Sequence, residues 1–166
     1  MERLMDLAGA GGGAAEPPGG LRAEVAGGRL FLFPRERPLP PPAALSAHGR
    51  TELGALGAIE AQPSPAVPER ADRWAQVLDA GALSGAVVRT RQPGDFIRPL
   101  GAGGRMSLSD YLINRRIPRP LRDLIALVAV GPEVLWVAGL GISQLAALGE
   151  ATSRATRLTF LGERWV

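Results

Sequence analysis

The chain of 166 residues contains no cysteine, no lysine and a single histidine, His48. Without cysteine it can form neither a disulfide framework nor a thiolate metal site. One histidine excludes a His-rich metal cluster and a catalytic His pair. Aromatic residues make up 5% of the chain, which argues against a large aromatic core. The 22 Gly and 15 Pro exceed their share in an average compact domain, so loose joints between the elements are expected.

The sequence also lacks the short motifs of common enzyme classes. It contains no GxxxxGK[ST] phosphate loop, no HExxH motif and no evident pair of carboxylates for acid–base catalysis. Residues 9–14 fit the pattern GxGxxA, but no strand pattern precedes them and no helix pattern follows, so they are interpreted as a linker. His48 lies in a Pro-rich stretch. We therefore predict no catalytic residue and no metal ligand in this chain.

A long apolar stretch, with Glu133 as its one charge, covers residues 124–149. Its length would allow it to cross a bilayer. The sequence GPE at 131–133 is typical of a turn, however, and the flanking segments are of strand length and rich in β-branched or aromatic residues. We predict a buried β-hairpin over 124–138, with a membrane hairpin over 124–149 as the weaker alternative.

Turn residues and short apolar runs predict a β-rich first half. Residues 1–8 resemble the end of a helix, and a Gly/Ala/Pro linker follows to residue 20. Residues 21–33 predict a hairpin around Gly27-Gly28, a strong turn dipeptide. Further strands are predicted within 50–61 and 73–79, and Pro-rich extended segments at 34–46 and 62–70.

The second half is predicted to be denser. Residues 86–91 form a strand, and Pro93-Gly94-Asp95 turns the chain. The clearest helix covers 107–116, with Ser107 as its N-cap and an acid three residues later in a variant of the capping box. A final strand is predicted around 157–161.

The apolar spacing predicts where the core lies. Leu108, Tyr111 and Leu112 share one face of the predicted helix and are expected to pack on the hairpin, with Leu135 and Trp136 completing the core. In a regular strand, residues 134 and 136 point to one face and residues 135 and 137 to the other. All four are apolar, so both faces of the strand must be covered.

These elements predict an α+β fold: a small, β-rich, layered, sandwich-like C-terminal domain with one clear helix, preceded by a Pro/Gly-rich β segment. We divide the chain into three parts. Residues 1–20 form a helix end and a linker from a preceding domain, 21–81 a β-rich, Pro-rich intermediate segment, and 82–166 the C-terminal domain.

All 19 basic residues are arginine, and their excess is concentrated in one segment. The net charge of the chain is +3, but residues 84–130 hold eight Arg against three acidic residues. A basic segment within a foldable region favours an acidic partner, with nucleic acid as the first candidate. The alternative is a solvated charged face.

Arginine and glycine alternate along this segment in a pattern suited to phosphate contact. Guanidinium groups bind phosphate oxygens bidentately, and Gly-rich turns let backbone N–H groups approach an anion. In the alternative, two or three of these arginines pair with Asp95, Asp110 and Asp123 instead. The candidate RNA-binding residues are Arg89, Arg91, Arg98, Arg105, Arg115, Arg116, Arg119 and Arg122, and the candidate structural turn residues are Gly94, Asp95, Gly103 and Gly104.

The stretch RTRQPGDFIRPLGAGGRMSLSDYLINRRIPRPLRD, from Arg89 to Asp123, closely resembles the C-terminal domain of bacterial tRNA(Ile)-lysidine synthases. That domain carries R-x-R-x-P-G-D, a Gly-Gly turn, a helix with L-[SK]-D-[FY], then I-P-R and an apolar hairpin with I-L-W-V-x-G. VLWVAG at 134–139 matches the hairpin in order and spacing. GGLRAEVAGGRLFLF at 19–33 resembles the strand pair after the family's middle domain. The resemblance is strong over 86–140 and weak over 34–80.

The sequence departs from the family at several basic positions. The family's two adjacent lysines fall at Met106 and Ser107, with Arg105 just before them. Its usual basic residue after G-D falls at Phe96, and the arginine that often follows W-V-x-G-L falls at Gly141. These losses predict weaker contact with RNA.

The resemblance implies a role in tRNA modification in the cytoplasm. The family's ligase adenylates the wobble cytidine of an isoleucine tRNA, and free lysine then attacks to form lysidine. Its ATP and Mg²⁺ belong to a PP-loop domain with the motif S-G-G-x-D-S, which this sequence lacks. By resemblance, the chain positions tRNA and performs no chemistry alone, because it depends on a separate or missing catalytic domain. It is then a fragment of the enzyme, the product of a split gene or a stand-alone relic. A non-catalytic protein-interaction module or a decayed remnant is the alternative.

Overall fold

The structure, a computed structural model, describes residues 12–67 and 72–164. The helix end predicted at 1–8 lies outside these residues. The one α-helix of the described ranges, α1, covers Leu108–Asn114, and short 3-10 helices cover Gly54–Leu56, Arg119–Leu124 and Gln144–Ala146. The strands are β1 (Gly13–Ala15), β2 (Leu21–Ala26), β3 (Arg29–Pro34), β4 (Ala43–Ala44), β5 (Gly49–Glu52), β6 (Ala58–Ser64), β7 (Ala75–Asp79), β8 (Val87–Arg89), β9 (Phe96–Ile97), β10 (Met106–Ser107), β11 (Leu127–Val130), β12 (Glu133–Val137), β13 (Gly141–Ile142) and β14 (Ala155–Leu161).

The strands form three sheets. The N-terminal sheet has the order β1-β2-β3, and its β2–β3 turn confirms the hairpin predicted around Gly27-Gly28. Both glycines have positive φ, 58° and 72°, as a two-residue hairpin turn of matching twist requires. The central sheet has the order β10-β9-β12-β11-β8-β4, with β13 also paired to β12. The outer sheet has the order β5-β6-β14-β7.

The central sheet is covered on both faces. One apolar cluster joins it to the outer sheet, through residues such as Val128, Leu158 and Trp74. The second cluster joins its other face to α1, through residues such as Val134 and Leu112. The molecule is therefore a layered α+β structure, as the sequence predicts, with α1, the central sheet and the outer sheet in that order.

The predicted core residues are all buried, but the hairpin distributes them differently from the prediction. Val128 lies opposite Trp136 and Ala129 opposite Val134, so Leu135 is an extra residue in β12. This β-bulge interrupts the alternation of side chains. Leu135 and Trp136 both join the cluster beneath the outer sheet, whereas residues 134 and 137 both face α1. The predicted strict alternation over 134–137 is therefore wrong, although the hairpin itself is confirmed.

Helix α1 begins and ends with side-chain and backbone caps. The hydroxyl of Ser107 accepts a hydrogen bond from the Asp110 N–H at 3.0 Å and donates one to the Asp110 carboxylate at 2.7 Å, which confirms the predicted N-cap. At the other end, the N–H of Ile117 donates to Leu112 O at 3.0 Å. This closure is a Schellman motif, and it places Arg116 in the left-handed region with φ 56°. Glycine is the usual residue at that position.

A buried ion pair joins the turn after β8 to the β11–β12 turn. The guanidinium of Arg89 donates to both carboxylate oxygens of Asp95, at 2.7 and 2.8 Å, and the two side chains are 4% and 3% exposed. Arg89 also donates to the carbonyl oxygens of Thr90 and Gly131, both at 2.9 Å. The Gln92 N–H donates to the Asp95 carboxylate at 2.8 Å. These hydrogen bonds satisfy the two charges in a site from which water is excluded.

The outer sheet draws on distant parts of the sequence. Strand β14 lies between β6 and β7 and pairs antiparallel with both. The boundary predicted between residues 81 and 82 therefore runs through this sheet, because β5, β6 and β7 precede it and β14 follows it. Among the described residues, the segment 124–149 contains β11, β12 and β13, and no helix there or elsewhere is long and apolar enough to cross a bilayer.

Truncation of the α1 core is expected to destabilise the fold. Leu112 is 1% exposed, so Leu112→Ala removes buried methyl groups and leaves a cavity, at a cost of about 2–5 kcal/mol. Leu39→Ala is the matched control, because Leu39 is 44% exposed in the Pro-rich segment. Thermal unfolding followed by circular dichroism should show a large decrease in Tm for the first variant and little for the second. Equal decreases would contradict this assignment of the core.

Removal of the Asp95 charge is expected to be more damaging than removal of an exposed one. Asp95→Asn leaves the Arg89 guanidinium buried without a counter-charge, which should lower the free energy of unfolding by about 3–5 kcal/mol. Asp123→Asn removes a carboxylate that also pairs with arginine but is 53% exposed, so its effect should stay below about 1 kcal/mol. Urea denaturation of both variants measures the difference, and comparable losses would mean that the buried pair has no special structural role.

Candidate nucleic-acid interface

The structure separates the eight candidate arginines by burial. Arg89 is 3% exposed, and its guanidinium makes the four hydrogen bonds described above. The prediction that Arg89 contacts RNA is therefore corrected: its burial assigns it to the fold. The other seven side chains reach the surface fully or in part.

Two candidates are exposed in part but paired with acidic residues. Arg91 donates through Nε to Asp123 at 2.5 Å, and the two side chains are 31% and 53% exposed. Arg98 donates through Nε to Glu133 at 2.8 Å. Exposed pairs of this kind contribute little to stability and exchange readily with a competing phosphate. Of the pairs that the sequence raised as the alternative, those with Asp95 and Asp123 form, through Arg89 and Arg91, and Arg98 adds a pair with Glu133. Asp110 interacts with the helix N-cap instead.

Two further arginines lie over aromatic rings. The guanidinium of Arg105 is 5.1 Å from the centroid of the Phe96 ring, and that of Arg115 is 5.0 Å from the Tyr111 ring. Cation–π contact orients each exposed guanidinium without neutralising its charge. Burial raises the pKa of the Tyr111 hydroxyl, and the Arg115 charge opposes part of that rise. The phenol therefore stays neutral beneath Arg115.

The remaining three candidate arginines, Arg116, Arg119 and Arg122, form no ion pair among the described residues. Arg122 donates through Nε to Ile117 O at 2.9 Å. Desolvation lowers the pKa of Arg122, and the nearby charges of Arg91 and Arg119 lower it further. Arg116 and Arg119 are both exposed. Several guanidinium groups are therefore available to an anionic ligand.

An open cleft of about 720 Å³ lies beside these side chains, and we call it the turn cleft. Arg91 and Arg105 line it from opposite segments, with Asp123 on a third. The buried Asp95 also positions the helix beside this cleft. Its backbone carbonyl accepts a hydrogen bond from the Leu108 N–H at 2.9 Å, which fixes the start of α1. The lining residues are Arg91, Gln92, Pro93, Gly94, Asp95, Phe96, Arg105, Met106, Ser107, Leu108, Ser109 and Asp123.

The predicted turn residues have different roles. Asp95 holds the buried pair, and Gly94 next to it has a positive φ of 87° that this turn requires. Gly103 and Gly104 lie in the exposed loop before β10, and nothing lies within 4 Å of a Cβ built at either position. The loop beside Arg105 is therefore open to a large ligand.

No group of three or more Asp, Glu, His or Cys in residues 12–67 and 72–164 could hold a metal ion. The sequence also has no phosphate-loop motif.

A second group of arginines lies outside the basic segment 84–130 that the sequence singles out. A smaller cleft of about 320 Å³ lies between the N-terminal sheet and the 3-10 helix Arg119–Leu124, and we call it the junction cleft. Arg37 lines it together with Arg119. No local pattern could have identified Arg37, because it lies in the Pro-rich segment and only the tertiary fold brings it to Arg119.

Comparison with known proteins agrees with the resemblance to a lysidine-synthase C-terminal domain found in the second half of the sequence. Residues 86–159 match the family model of the TilS substrate C-terminal domain. A solved structure titled "Crystal structure of TILS C-terminal domain" superposes with a TM-score of 0.63 at 28% sequence identity, over 75% of this chain and 98% of that one.

Curated relatives extend the match along the sequence. The tRNA(Ile)-lysidine synthase of Symbiobacterium thermophilum is 34% identical over 96% of this chain and 36% of its own length. That of Caldanaerobacter subterraneus subsp. tengcongensis is 38% identical over 46% of this chain and 16% of its own length. The chain thus spans about a third or less of these relatives. With the fold, the sequence match and the structural superposition in agreement, the chain contains a TilS C-terminal domain at residues 86–159 and is similar to the corresponding part of tRNA(Ile)-lysidine synthases.

Proposed function

We propose that this chain is the tRNA-binding portion of a tRNA(Ile)-lysidine synthase and that it positions the RNA for a reaction carried out elsewhere. The observation that carries the proposal is the run of close guanidinium groups beside the turn cleft. Arg105 and Arg91 line that cleft, and the charges of Arg91 and Arg119 both reach Arg122. Such a run matches the repeated negative charge of a nucleic-acid backbone.

The chemistry of these groups favours recognition of shape over recognition of sequence. Structured RNA is read mainly through phosphates and 2′-hydroxyl groups across a wide, shallow minor groove. Guanidinium groups donate to both kinds of oxygen. The aromatic side chains Phe96 and Tyr111 are covered by Arg105 and Arg115, so they orient the cations and do not present open stacking faces.

The ligase chemistry belongs to another part of the system in this proposal. ATP and Mg²⁺ bind to a catalytic domain with the S-G-G-x-D-S motif, and that domain attaches lysine to the wobble cytidine. This chain and the catalytic domain, joined or separate, then act on one isoleucine tRNA in the cytoplasm. The support is the similarity to relatives named tRNA(Ile)-lysidine synthase, together with the absence of the motif from this sequence.

A second candidate is a protein-interaction module or a decayed remnant without a ligase role. The observation that favours it is the loss of basic side chains at the turn cleft itself. Phe96, Met106 and Ser107 occupy positions where the family resemblance places basic residues, and all three line the cleft. A measurement of RNA binding by the purified chain separates the two candidates.

The chain alone is expected to have no ligase activity. Purified protein incubated with ATP, lysine and an isoleucine tRNA transcript should form no lysidine above background, because no residue pattern here binds ATP. Mass spectrometry of the digested tRNA measures the product. Formation of lysidine without an added partner would contradict the proposed division of labour.

Binding to tRNA is expected to be weak and sensitive to salt. Each phosphate contact contributes a slope of about −0.9 to the dependence of log K on log salt for duplex DNA, and a similar value is expected here. Arg105→Ala combined with Arg116→Ala should weaken binding and flatten the slope, as measured by fluorescence anisotropy between about 50 and 200 mM salt, the range over which such contacts act strongly.

The matched control removes two positive charges elsewhere. Arg29 and Arg50 are exposed and line neither the turn cleft nor the junction cleft. Arg29→Ala combined with Arg50→Ala should retain most of the affinity. An equal loss of affinity in both double variants would mean that RNA binding depends only on the overall charge of the protein, and it would favour the second candidate.

A further inference from the structure

The junction cleft is rich in arginine. Its walls come from the open end of the β2–β3 hairpin, from the Pro-rich segment after it and from the 3-10 helix Arg119–Leu124. Four arginines line it against two acidic residues. The lining residues are Arg22, Glu24, Phe33, Pro34, Arg35, Arg37, Leu39, Arg119, Pro120, Asp123 and Leu124.

The ion pairs of the cleft leave two of these arginines uncompensated. Arg22 pairs with Glu24 at 2.8 Å. Arg35 pairs with Glu16 at 3.1 Å, at a site where both side chains are more than half exposed. Within residues 12–67 and 72–164, neither Arg37 nor Arg119 forms an ion pair.

The acids that line the cleft do not neutralise these two guanidinium groups. Glu24 is paired with Arg22, and Asp123 is paired with Arg91. The cleft therefore presents net positive charge to whatever enters it, with Arg37 on one wall and Arg119 on the other.

The junction cleft adjoins the turn cleft, because Asp123 lines both. Desolvation lowers the pKa of Arg122, and the charges of Arg91 at the turn cleft and Arg119 at the junction cleft lower it further. Arg105 and Arg91 thus line one of two neighbouring clefts, and Arg119 and Arg37 line the other.

We propose that the phosphate backbone of the bound RNA continues from the turn cleft into the junction cleft and that Arg37 and Arg119 hold it there. This inference rests on the proposed function and extends it, because it makes the N-terminal sheet and the Pro-rich segment part of the RNA-binding surface. A small free anion would fill one cleft, whereas two neighbouring clefts that are both lined by arginine suit a polyanion. Guanidinium groups bind phosphate through paired N–H donors. Arginine side chains on facing walls can therefore bind one RNA strand between them.

The test compares Arg37→Ala combined with Arg119→Ala against the control Arg29→Ala combined with Arg50→Ala in the full chain. Both variants remove two exposed arginines, and Arg29, at the turn end of β3, does not line the cleft. Binding to an isoleucine tRNA transcript is measured by fluorescence anisotropy as a function of salt. The cleft variant should bind on the order of tenfold more weakly, with a salt slope smaller by about 1 for each arginine removed.

Two companion measurements separate a loss of RNA contact from a loss of fold and from a small-anion site. Thermal unfolding of the cleft variant should match that of the unmodified chain, and if it does not, Arg37→Lys combined with Arg119→Lys takes its place. That variant keeps both charges but lacks the guanidinium fork, so it should retain most of the salt slope and bind more weakly than the unmodified chain. Unchanged affinity in this variant would overturn a role for these arginines as bidentate phosphate ligands. Titration of the unmodified chain and of the cleft variant with inorganic phosphate tests whether the cleft is a site for a small anion. A phosphate affinity that depends on Arg37 and Arg119, combined with an unchanged affinity for tRNA, would identify a small-anion site and overturn the proposal.

The outcomes also distinguish this inference from the proposed function. If the cleft variant binds tRNA as the control does while the Arg105→Ala and Arg116→Ala double variant is weakened, the junction cleft is outside the interface and the proposed function stands. If the unmodified chain does not bind tRNA, both proposals are wrong.

Discussion

The buried pair between Arg89 and Asp95 is the interaction on which the rest of the basic surface depends. It holds the turn after β8 against the β11–β12 turn through Gly131 O. The backbone carbonyl of the same Asp95 receives the first N–H of α1, from Leu108. One aspartate therefore fixes the position of the turn cleft and of the helix beside it. The buried pair of Arg89 and Asp95 thus positions charged side chains that face solvent, such as Arg91 and Arg105 at the turn cleft.

The central sheet explains how so small a domain can support this surface. Apolar side chains cover it on both faces, toward the outer sheet and toward α1. The bulge at Leu135 shifts two consecutive side chains, Leu135 and Trp136, to the outer-sheet side and returns Val137 to the α1 side. Both layers thus receive large side chains from one strand of five residues. A rigid three-layer core leaves the loops between the strands free to carry arginine and glycine.

Local signals in the sequence account for most of the elements. The Gly27-Gly28 dipeptide marks a hairpin, and the Ser107 cap marks the start of α1, because both depend on residues close in sequence. The bulge and the position of β14 between β6 and β7 depend on distant partners and leave no local pattern. The same limit applies to the site. Arg89 and Arg91 look alike in the sequence, and only the tertiary position of Asp95 decides which of them is buried.

Arg116 shows how the end of a helix can be subject to two opposing demands. Its left-handed backbone closes the Schellman motif, where an L residue with a side chain costs roughly 1 kcal/mol or more relative to glycine. Glycine there would relax the backbone, but it would also remove an exposed positive charge from the edge of the basic surface. Stability and charge therefore compete at a single position. The carbonyl groups at the C-terminal end of a helix favour a nearby cation, and the guanidinium of Arg116 carries a permanent positive charge. The same side chain therefore suits the helix terminus and offers a positive charge to an anionic ligand.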